Sequence, residues 1–272
     1  MLDKRKYLDP KMLSKLDNMA LRARLVVEGY LIGQHKSPYH GFSVEFAEHR
    51  AYGHGDEIRH IDWKLYGKTD RYYVKRYEEE TNLRSYILLD TSQSMTFSSG
   101  SISKLEYASY LSAALTRLML NQRDGMGLVL FDEKIKKFIP PRAAPSHANI
   151  IMGALDNIQS GNDTKIRSTL DQMAERIKKR GLVILISDLL DDPEQVLMGL
   201  NHFRHNKQEM IVFHLLDRQE HDFQFNNRTK FRDLETGKTI TTEPWHIRSA
   251  YQNLIESFQK RYQLGCRSQK ID

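Results

Sequence analysis

Short apolar runs alternate with amphipathic segments from residue 84 onward, and this alternation predicts an α/β fold. Apolar runs short enough to be strands lie at 85–90, 126–131, 135–140, 181–192 and 209–217. Apolar residues at helical spacing, or a proline suited to a first helical turn, predict helices at 104–121, 147–158, 168–179, 193–205 and 243–262. A weak hairpin is expected around LETGKTI, residues 234–240. Strands that alternate with helices predict a doubly wound, mostly parallel sheet.

The first part of the chain differs in texture from this regular pattern. Apolar residues from Leu13 to Ile32 recur at roughly helical spacing, and the following segment is rich in glycine, aromatic and charged residues. We therefore divide the chain into an N-terminal helix and loop-and-strand extension, residues 1–83, and an α/β domain, residues 84–272.

The composition is that of an ordinary globular protein. Of 272 residues, 40% are apolar and 28% charged, and no apolar run approaches the roughly 20 residues that span a bilayer. The N-terminus lacks the apolar core of a secretory signal, and Cys266 is the single cysteine, so we expect a cytoplasmic protein. The net charge of +6 comes from basic residues interspersed with acids, which disfavours a nucleic-acid partner.

Oxygen-bearing side chains follow separate predicted elements. Asp90, Ser92 and Ser94 come directly after the first strand of the domain, Thr164 lies in a loop between two helices, and Asp188 ends the most apolar run. Because the carboxyl ends of parallel strands lie together, Asp90 and Asp188 are expected to converge although they are 98 residues apart.

Hydroxyls and carboxylates without histidine or cysteine are the ligands that suit Mg²⁺, and Mn²⁺ would accept them too. If Ser92 and Ser94 bind directly and the two acids act mainly through water, the inner shell is neutral and the ion stays electrophilic. No general base or nucleophile accompanies the set, so the pattern favours gripping a partner's carboxylate over turning over a substrate. We therefore expect a binding protein rather than an enzyme.

Other interpretations use the same residues. Asp90, Ser92 and Ser94 are also common turn and capping residues, and a structural domain with a vestigial metal site is a further interpretation. The acids together with the positive net charge would also serve a Mg²⁺-dependent phosphodiesterase or a nucleic-acid-binding protein. A phosphatase loop of the D-x-D type needs an acid where Ser92 stands, which counts against the catalytic alternative.

The motifs DTSQSM, GNDT and ISD, in this order, resemble the metal-ion-dependent adhesion site of von Willebrand factor A domains. The resemblance covers about residues 84–265 and implies a von Willebrand factor A-like, Rossmann-like fold in which Asp90, Ser92, Ser94, Thr164 and Asp188 bind the metal. The loop reads GNDT where a glycine-rich GG-x-T is expected, so Thr164 departs most from the pattern.

The N-terminal part resembles a second signature. GDEIRHIDWK, residues 55–64, followed by YVKRYEEE, is similar to the bacterial domain-of-unknown-function family 58 (DUF58). That resemblance implies a non-enzymatic adaptor that works with a MoxR-type AAA+ ATPase in assembling or maturing other proteins.

The GDEIRHIDWK segment itself has two interpretations. Arg59, Asp62 and Trp63 are candidates for a surface that a partner recognises. Alternatively, Gly55 and Asp56 form a turn, and ion pairs among Arg59, Asp62, Arg76 and Glu78 fasten the segment to the main domain. The residue types favour the structural interpretation.

Overall fold

A computed structural model describes residues 44–53, 56, 61–79, 83–161, 166–234 and 237–272. The described residues fall into two compact units, one within residues 22–82 and one that contains residues 83–272. The helix predicted over residues 13–32 lies outside the described residues. Within the described ranges, no helix is long and apolar enough to span a membrane.

The smaller unit is built on an antiparallel strand pair. Strand β1 (Val44–Ala51) pairs with β2 (Tyr73–Glu79), with an irregularity in register between Phe46 and Glu48. The short helix α1 (Trp63–Thr69) lies between them in sequence. Asp62 caps its N-terminus, because its carboxylate accepts hydrogen bonds from two backbone amides of the first turn.

The larger unit contains the predicted alternation of strands and helices. Its strands are β3 (Arg84–Asp90), β4 (Gly125–Phe131), β5 (Ile135–Arg142), β6 (Leu182–Ser187), β7 (Glu209–His214), β8 (Thr229–Arg232) and β9 (Thr239–Thr242). Its helices are α2 (Lys104–Asn121), α3 (His147–Asp156), α4 (Ile166–Arg176), α5 (Pro193–His205), α6 (Arg218–Asp222) and α7 (Pro244–Ser268).

The main sheet has five strands in the order β5-β4-β3-β6-β7, and only the β4–β5 pair is antiparallel. The predicted doubly wound, mostly parallel α/β fold is therefore confirmed. Strands β4 and β5 lie on one side of β3, and the chain then crosses to the other side of β3, where β6 and β7 lie. The strand order thus reverses between β3 and β6, and open α/β sheets bind ligands at the carboxyl ends of strands at such a point.

Helices cover both faces of this sheet. Alternate side chains of the central strands, including Leu88, Val129 and Leu185, pack in one buried cluster with residues of α4, α5 and α7. The neighbouring residues of each strand point to the opposite face, where α2 contacts β3 and β4. Burial on both faces explains why β3, β4 and β6 read as almost continuous apolar runs.

Several boundaries differ from the sequence expectations by a few residues, and two of the differences have clear local reasons. The apolar run 181–192 yields a strand that stops at Ser187, because the chain turns at Leu189, whose φ of 53° is incompatible with a strand. The last helix continues to Ser268, beyond the expected end at residue 262, and Tyr262 becomes a buried anchor within it. The weak hairpin is present as β8 and β9, with residues 235–236 outside the described ranges.

Candidate metal centre

Two acids meet where the strand order reverses. Asp90 is the last residue of β3, and Asp188 follows the last residue of the adjacent strand β6. The Ser187 hydroxyl donates a 2.6 Å hydrogen bond to Asp90 Oδ2, which ties the ends of the two strands together. Asp90 and Asp188 are both almost completely buried. The structure therefore brings these two acids to one end of the sheet, as parallel strands require.

The loop after Asp90 adds two hydroxyls to the same place. Asp90 Oδ1 accepts a 2.9 Å hydrogen bond from the Ser92 amide, and this bond folds the loop back over the strand end. A short 3₁₀ turn, Ser94–Thr96, follows, and it sets Ser94 Oγ 3.0 Å from Ser92 Oγ. The alternating acid and hydroxyls of D-x-S-x-S thus converge on one point.

The spacing of these hydroxyls suits a small divalent cation. Neighbouring ligands of an octahedral Mg²⁺, each about 2.1 Å from the ion, are about 3 Å apart. Ser92 Oγ and Ser94 Oγ share a hydrogen bond of 3.0 Å, which equals that separation, and the two buried acids supply negative charge beside them. The donor set contains only hard oxygens, so these residues fit the ion that the sequence predicts.

The surroundings of Asp90 disfavour its ionised form. Burial and the nearby negative charge of Asp188 raise the pKa of Asp90 to about 6, although hydrogen bonds from Ser187 and Ser92 oppose this rise. Among the described residues, Asp90 has no cationic partner. A cation at this point would relieve the repulsion between the two carboxylates, which is how binding sites commonly store electrostatic free energy.

Asp188 is held from three sides. Its Oδ2 accepts a 2.8 Å bond from the Lys104 ammonium, and the Nε2–H of His214 donates a 3.0 Å bond to its carbonyl oxygen. Burial lowers the pKa of His214, which favours the neutral ring, and Nε2 carries the proton because a carbonyl oxygen can only accept. The left-handed backbone of Leu189 fixes the turn just after Asp188. Within the described ranges, Asp188 Oδ1 makes only a long contact, 3.4 Å, to the Leu190 amide.

The loop that carries Thr164 is anchored at both of its described ends. The Gly161 amide donates a 2.9 Å bond to the Thr91 carbonyl, and the Ile166 amide donates a 3.2 Å bond to Asp191 Oδ2. A side chain at Gly161 would collide with Asp132, because a Cβ there would lie 1.7 Å from Asp132 Oδ2. Thr164 and its neighbour Asp163 lie outside the described residues, so the predicted role of Thr164 stays a prediction.

The candidate partner-binding residues belong to the smaller unit. Asp62 caps helix α1 through bonds of 3.0 and 3.2 Å to the amides of Lys64 and Leu65, and it also contacts His49 Nε2 at 2.9 Å. This gives Asp62 a structural task. Trp63 is 57% exposed and therefore available to a partner.

Arg59 lies outside the described residues, and so do the side chains of Arg76 and Glu78, so the predicted ion pairs among them remain predictions. The turn at Asp56 is held locally, because its carboxylate accepts bonds of 2.6 and 2.7 Å from Arg50 and one of 2.9 Å from the Gly53 amide.

Sequence reasoning missed three residues that shape the centre: Ser187, His214 and Lys104. Ser187 adjoins Asp188 in the ISD motif, so its position at a strand end was a usable signal. The sequence signal for Lys104 was weaker: a lysine in the first turn of a helix is unusual, because acidic residues are preferred there. Nothing local distinguishes His214, because its partner is a backbone carbonyl 26 residues away.

Metal sites built from nitrogen, sulfur or several carboxylates are not found in the described part of the chain, where no group of three or more His, Cys, Asp and Glu residues is placed to hold an ion. The candidate centre differs from such sites because hydroxyls make up half of its described donors, namely Ser92 and Ser94 beside Asp90 and Asp188. Any ion held here therefore depends on the serine hydroxyls.

Comparison with known proteins places these features in a family. Residues 48–261 match the family model described as "Protein of unknown function DUF58". An uncharacterized protein of Mycobacterium tuberculosis is 22% identical over 232 residues, which are 84% of this chain and 73% of that protein.

Two solved structures show distant likeness. An aerotolerance-related membrane protein of Bacteroides fragilis is 17% identical, with 66% of this chain and 87% of that chain covered and a TM-score of 0.46. The VWA domain of SpRpn10 is 11% identical, with 47% and 72% covered and a TM-score of 0.36. At these distances the matches carry no information on function.

Proposed function

The chain belongs to the DUF58 family of proteins of unknown function, and we propose that it is a non-enzymatic, Mg²⁺-dependent adaptor that grips an acidic side chain of a partner protein. The observation that carries the proposal is the pair of hydroxyls 3.0 Å apart, on Ser92 and Ser94, beside two buried acids at the point where the strand order reverses. Mn²⁺ would suit the same ligands.

Each residue of the centre has a distinct task in this proposal. Ser92 and Ser94 hold the ion through neutral hydroxyls, while Asp90 and Asp188 supply negative charge, directly or through water. Thr164 is the fifth proposed ligand, carried over from the resemblance of GNDT to the adhesion-site motif. When bound, the ion supplies an electrophilic position that one further carboxylate can fill.

The surrounding side chains favour binding over catalysis. The Lys104 ammonium is hydrogen-bonded to two carboxylates, and His214 donates its hydrogen bond to the Asp188 carbonyl. Neither side chain is therefore free to move a proton to or from a substrate. The site also lacks the second cluster of carboxylates that a two-metal phosphodiesterase uses, as far as the described residues extend.

For the partner we propose a MoxR-type AAA+ ATPase, on the resemblance of the GDEIRHIDWK segment and the DTSQSM motif to the DUF58 signature. In this role the chain would assist the ATPase in assembling or maturing client proteins in the cytoplasm. Trp63, exposed on the smaller unit, is a candidate second contact, with Arg59 and Asp62 beside it in sequence.

A binding experiment with purified components tests the proposal. We would immobilise the chain and measure binding of a MoxR-type ATPase from the same genome with 5 mM Mg²⁺ or with EDTA. Wild type should bind in Mg²⁺ only, and Ser92→Ala/Ser94→Ala should not bind in either condition. Ser146→Ala is the matched control, because Ser146 is exposed and its side chain caps nothing.

Two outcomes would overturn parts of this account. Equal binding in Mg²⁺ and EDTA would remove the metal from the interaction. Metal-dependent turnover of a bis-aryl phosphodiester by wild type, lost in Ser92→Ala/Ser94→Ala, would replace the adaptor with the phosphodiesterase alternative.

A further inference from the structure

Lys104 lies in a position that is unfavourable for a cation on two counts. It is the first residue of α2, where the helix dipole is positive, and its side chain is only 4% exposed. Buried ammonium groups persist when anions and hydrogen bonds compensate them. The environment of Lys104 must therefore be specifically anionic.

Two carboxylates supply this compensation. The Lys104 ammonium donates a 2.8 Å bond to Asp188 Oδ2 and a 2.7 Å bond to Glu220 Oε1, and the Phe97 ring centroid lies 5.9 Å away. The Asp188 side chain is 2% exposed and that of Glu220 18% exposed, so water screens both pairs weakly. Lys104 is thus a built-in cation at the edge of the candidate metal centre.

Asp188 is shared between this cation and the proposed ion. One oxygen, Oδ2, is committed to Lys104, while the charge of Asp188 adds to the effect of burial in raising the pKa of Asp90. A divalent cation near Ser92 and Ser94 would draw on the same charge of Asp188. It would also be repelled by the Lys104 ammonium, since like charges interact strongly where the effective dielectric constant is low.

Glu220 connects Lys104 to a second element. Its Oε2 accepts a 2.8 Å bond from the Asp217 amide as part of the capping box of α6, and Asp217 Oδ2 accepts a 2.9 Å bond from the Ser99 amide. Ser99 belongs to the loop that leads from Ser94 to α2. Lys104 therefore joins Asp188 to the segments that surround the centre.

We propose that Lys104 is an internal counter-ion that competes with a divalent cation for Asp188 and so sets the metal affinity of the centre. This inference rests on the proposed function for its ion, but not on the identity of the partner. In the absence of metal, Lys104 neutralises Asp188 and holds α6 in place. When a divalent cation binds, the Lys104–Asp188 pair weakens and Lys104 relies more on Glu220.

The test is calorimetric titration of Mg²⁺ into wild type, Lys104→Met and Arg180→Met. Met keeps the length and apolar stem of lysine without the charge. Arg180 is the matched control, because it pairs with Glu209 at 3.1 Å at the start of β6, the opposite end of the sheet. We expect Lys104→Met to bind Mg²⁺ at least about tenfold more tightly than wild type, and Arg180→Met to change the affinity less than twofold.

Thermal unfolding of the same proteins gives an independent readout. In EDTA, Lys104→Met should unfold at a lower temperature than wild type, because Asp188 and Glu220 are left buried without a cation. Mg²⁺ should then raise its unfolding midpoint by more than it raises that of wild type. If Lys104→Met does not fold, Glu220→Gln carries the test: it leaves Lys104 to neutralise Asp188 alone, and it should bind Mg²⁺ several-fold more weakly than wild type.

The outcomes separate this inference from the proposed function. Equal Mg²⁺ affinities for wild type and Lys104→Met would overturn the competition and leave the metal site standing. Tight binding by Lys104→Met with none by wild type would support the competition, and it would mean that Lys104 replaces the metal in the natural protein. Binding by neither protein would overturn both proposals.

Discussion

Replacing Asp90 with asparagine should stabilise the metal-free protein and abolish its response to Mg²⁺. Burial and the neighbouring Asp188 raise the pKa of Asp90 from 3.8 to about 6. A shift of this size means that keeping Asp90 ionised in the folded protein at pH 7.5 costs about 3 kcal/mol. Asparagine removes that cost while keeping an acceptor for the Ser92 amide.

The substitution also has a local penalty. Ser187 donates to Asp90 Oδ2 at 2.6 Å, and an amide nitrogen in that position would not accept this bond, which costs about 1 kcal/mol. The net gain at pH 7.5 is therefore about 2 kcal/mol, or about 4–8 °C in the unfolding midpoint of a domain of this size.

The pH dependence of the stability that Asp90 contributes follows from its raised pKa. The folded protein holds the Asp90 proton more tightly than the unfolded chain, so this contribution to stability is complete below pH 3.8 and is lost as the pH rises through about 6. Asp90→Asn should accordingly change from a gain of about 2 kcal/mol at pH 7.5 to a loss of about 0.5 kcal/mol at pH 4, where only the penalty of the lost Ser187 bond is left.

Urea unfolding in EDTA at pH 7.5, 6, 5 and 4 measures this difference directly. Mg²⁺ should stabilise wild type and leave Asp90→Asn unchanged. If Asp90→Asn is instead destabilised at pH 7.5, the buried carboxylate is not a source of repulsion in the metal-free protein.

Three further substitutions test the fold. Burial also raises the pKa of Asp124 to about 6. Asp124→Asn should therefore increase the free energy of unfolding by about 1–2 kcal/mol at pH 7.5, after allowance for screening, and leave it unchanged at pH 4. Urea titrations at both pH values measure this difference. Gly181→Ala should lose about 2–3 kcal/mol, because a Cβ there would lie 2.1 Å from the Arg84 carbonyl oxygen, and an unchanged urea midpoint would contradict this contact. Tyr262→Phe should lose about 1–2 kcal/mol, since the buried hydroxyl donates a 3.0 Å bond to the Leu189 carbonyl; thermal unfolding would show a lower midpoint.

The order and type of the main elements follow from the sequence because each obeys a local rule. β3, β4 and β6 are apolar throughout since helices cover both faces of the sheet, and α5 begins at Pro193 as the proline predicts. The convergence of Asp90 and Asp188 was also predictable, because parallel strands end at one edge of the sheet.

The network around the acids was not predictable from local patterns. Lys104 and Asp188 are 84 residues apart, and Glu220 is 116 residues from Lys104. Such pairs depend on how helices pack on the sheet, which no single periodicity encodes. The early end of β6 likewise depends on the left-handed backbone of Leu189, a residue type that rarely adopts that conformation.

The proposed adaptor role requires that Ser92, Ser94 and the two acids hold a divalent cation. It is tested most directly by the unfolding midpoints of wild type and Ser92→Ala/Ser94→Ala, each in EDTA and in several millimolar Mg²⁺. An ion at about 100 times its dissociation constant adds roughly 2.7 kcal/mol, so the wild-type midpoint should rise by about 5–10 °C, and that of the double variant should not move. An equal response of the two proteins, or no response in wild type, would mean that these residues do not hold the ion.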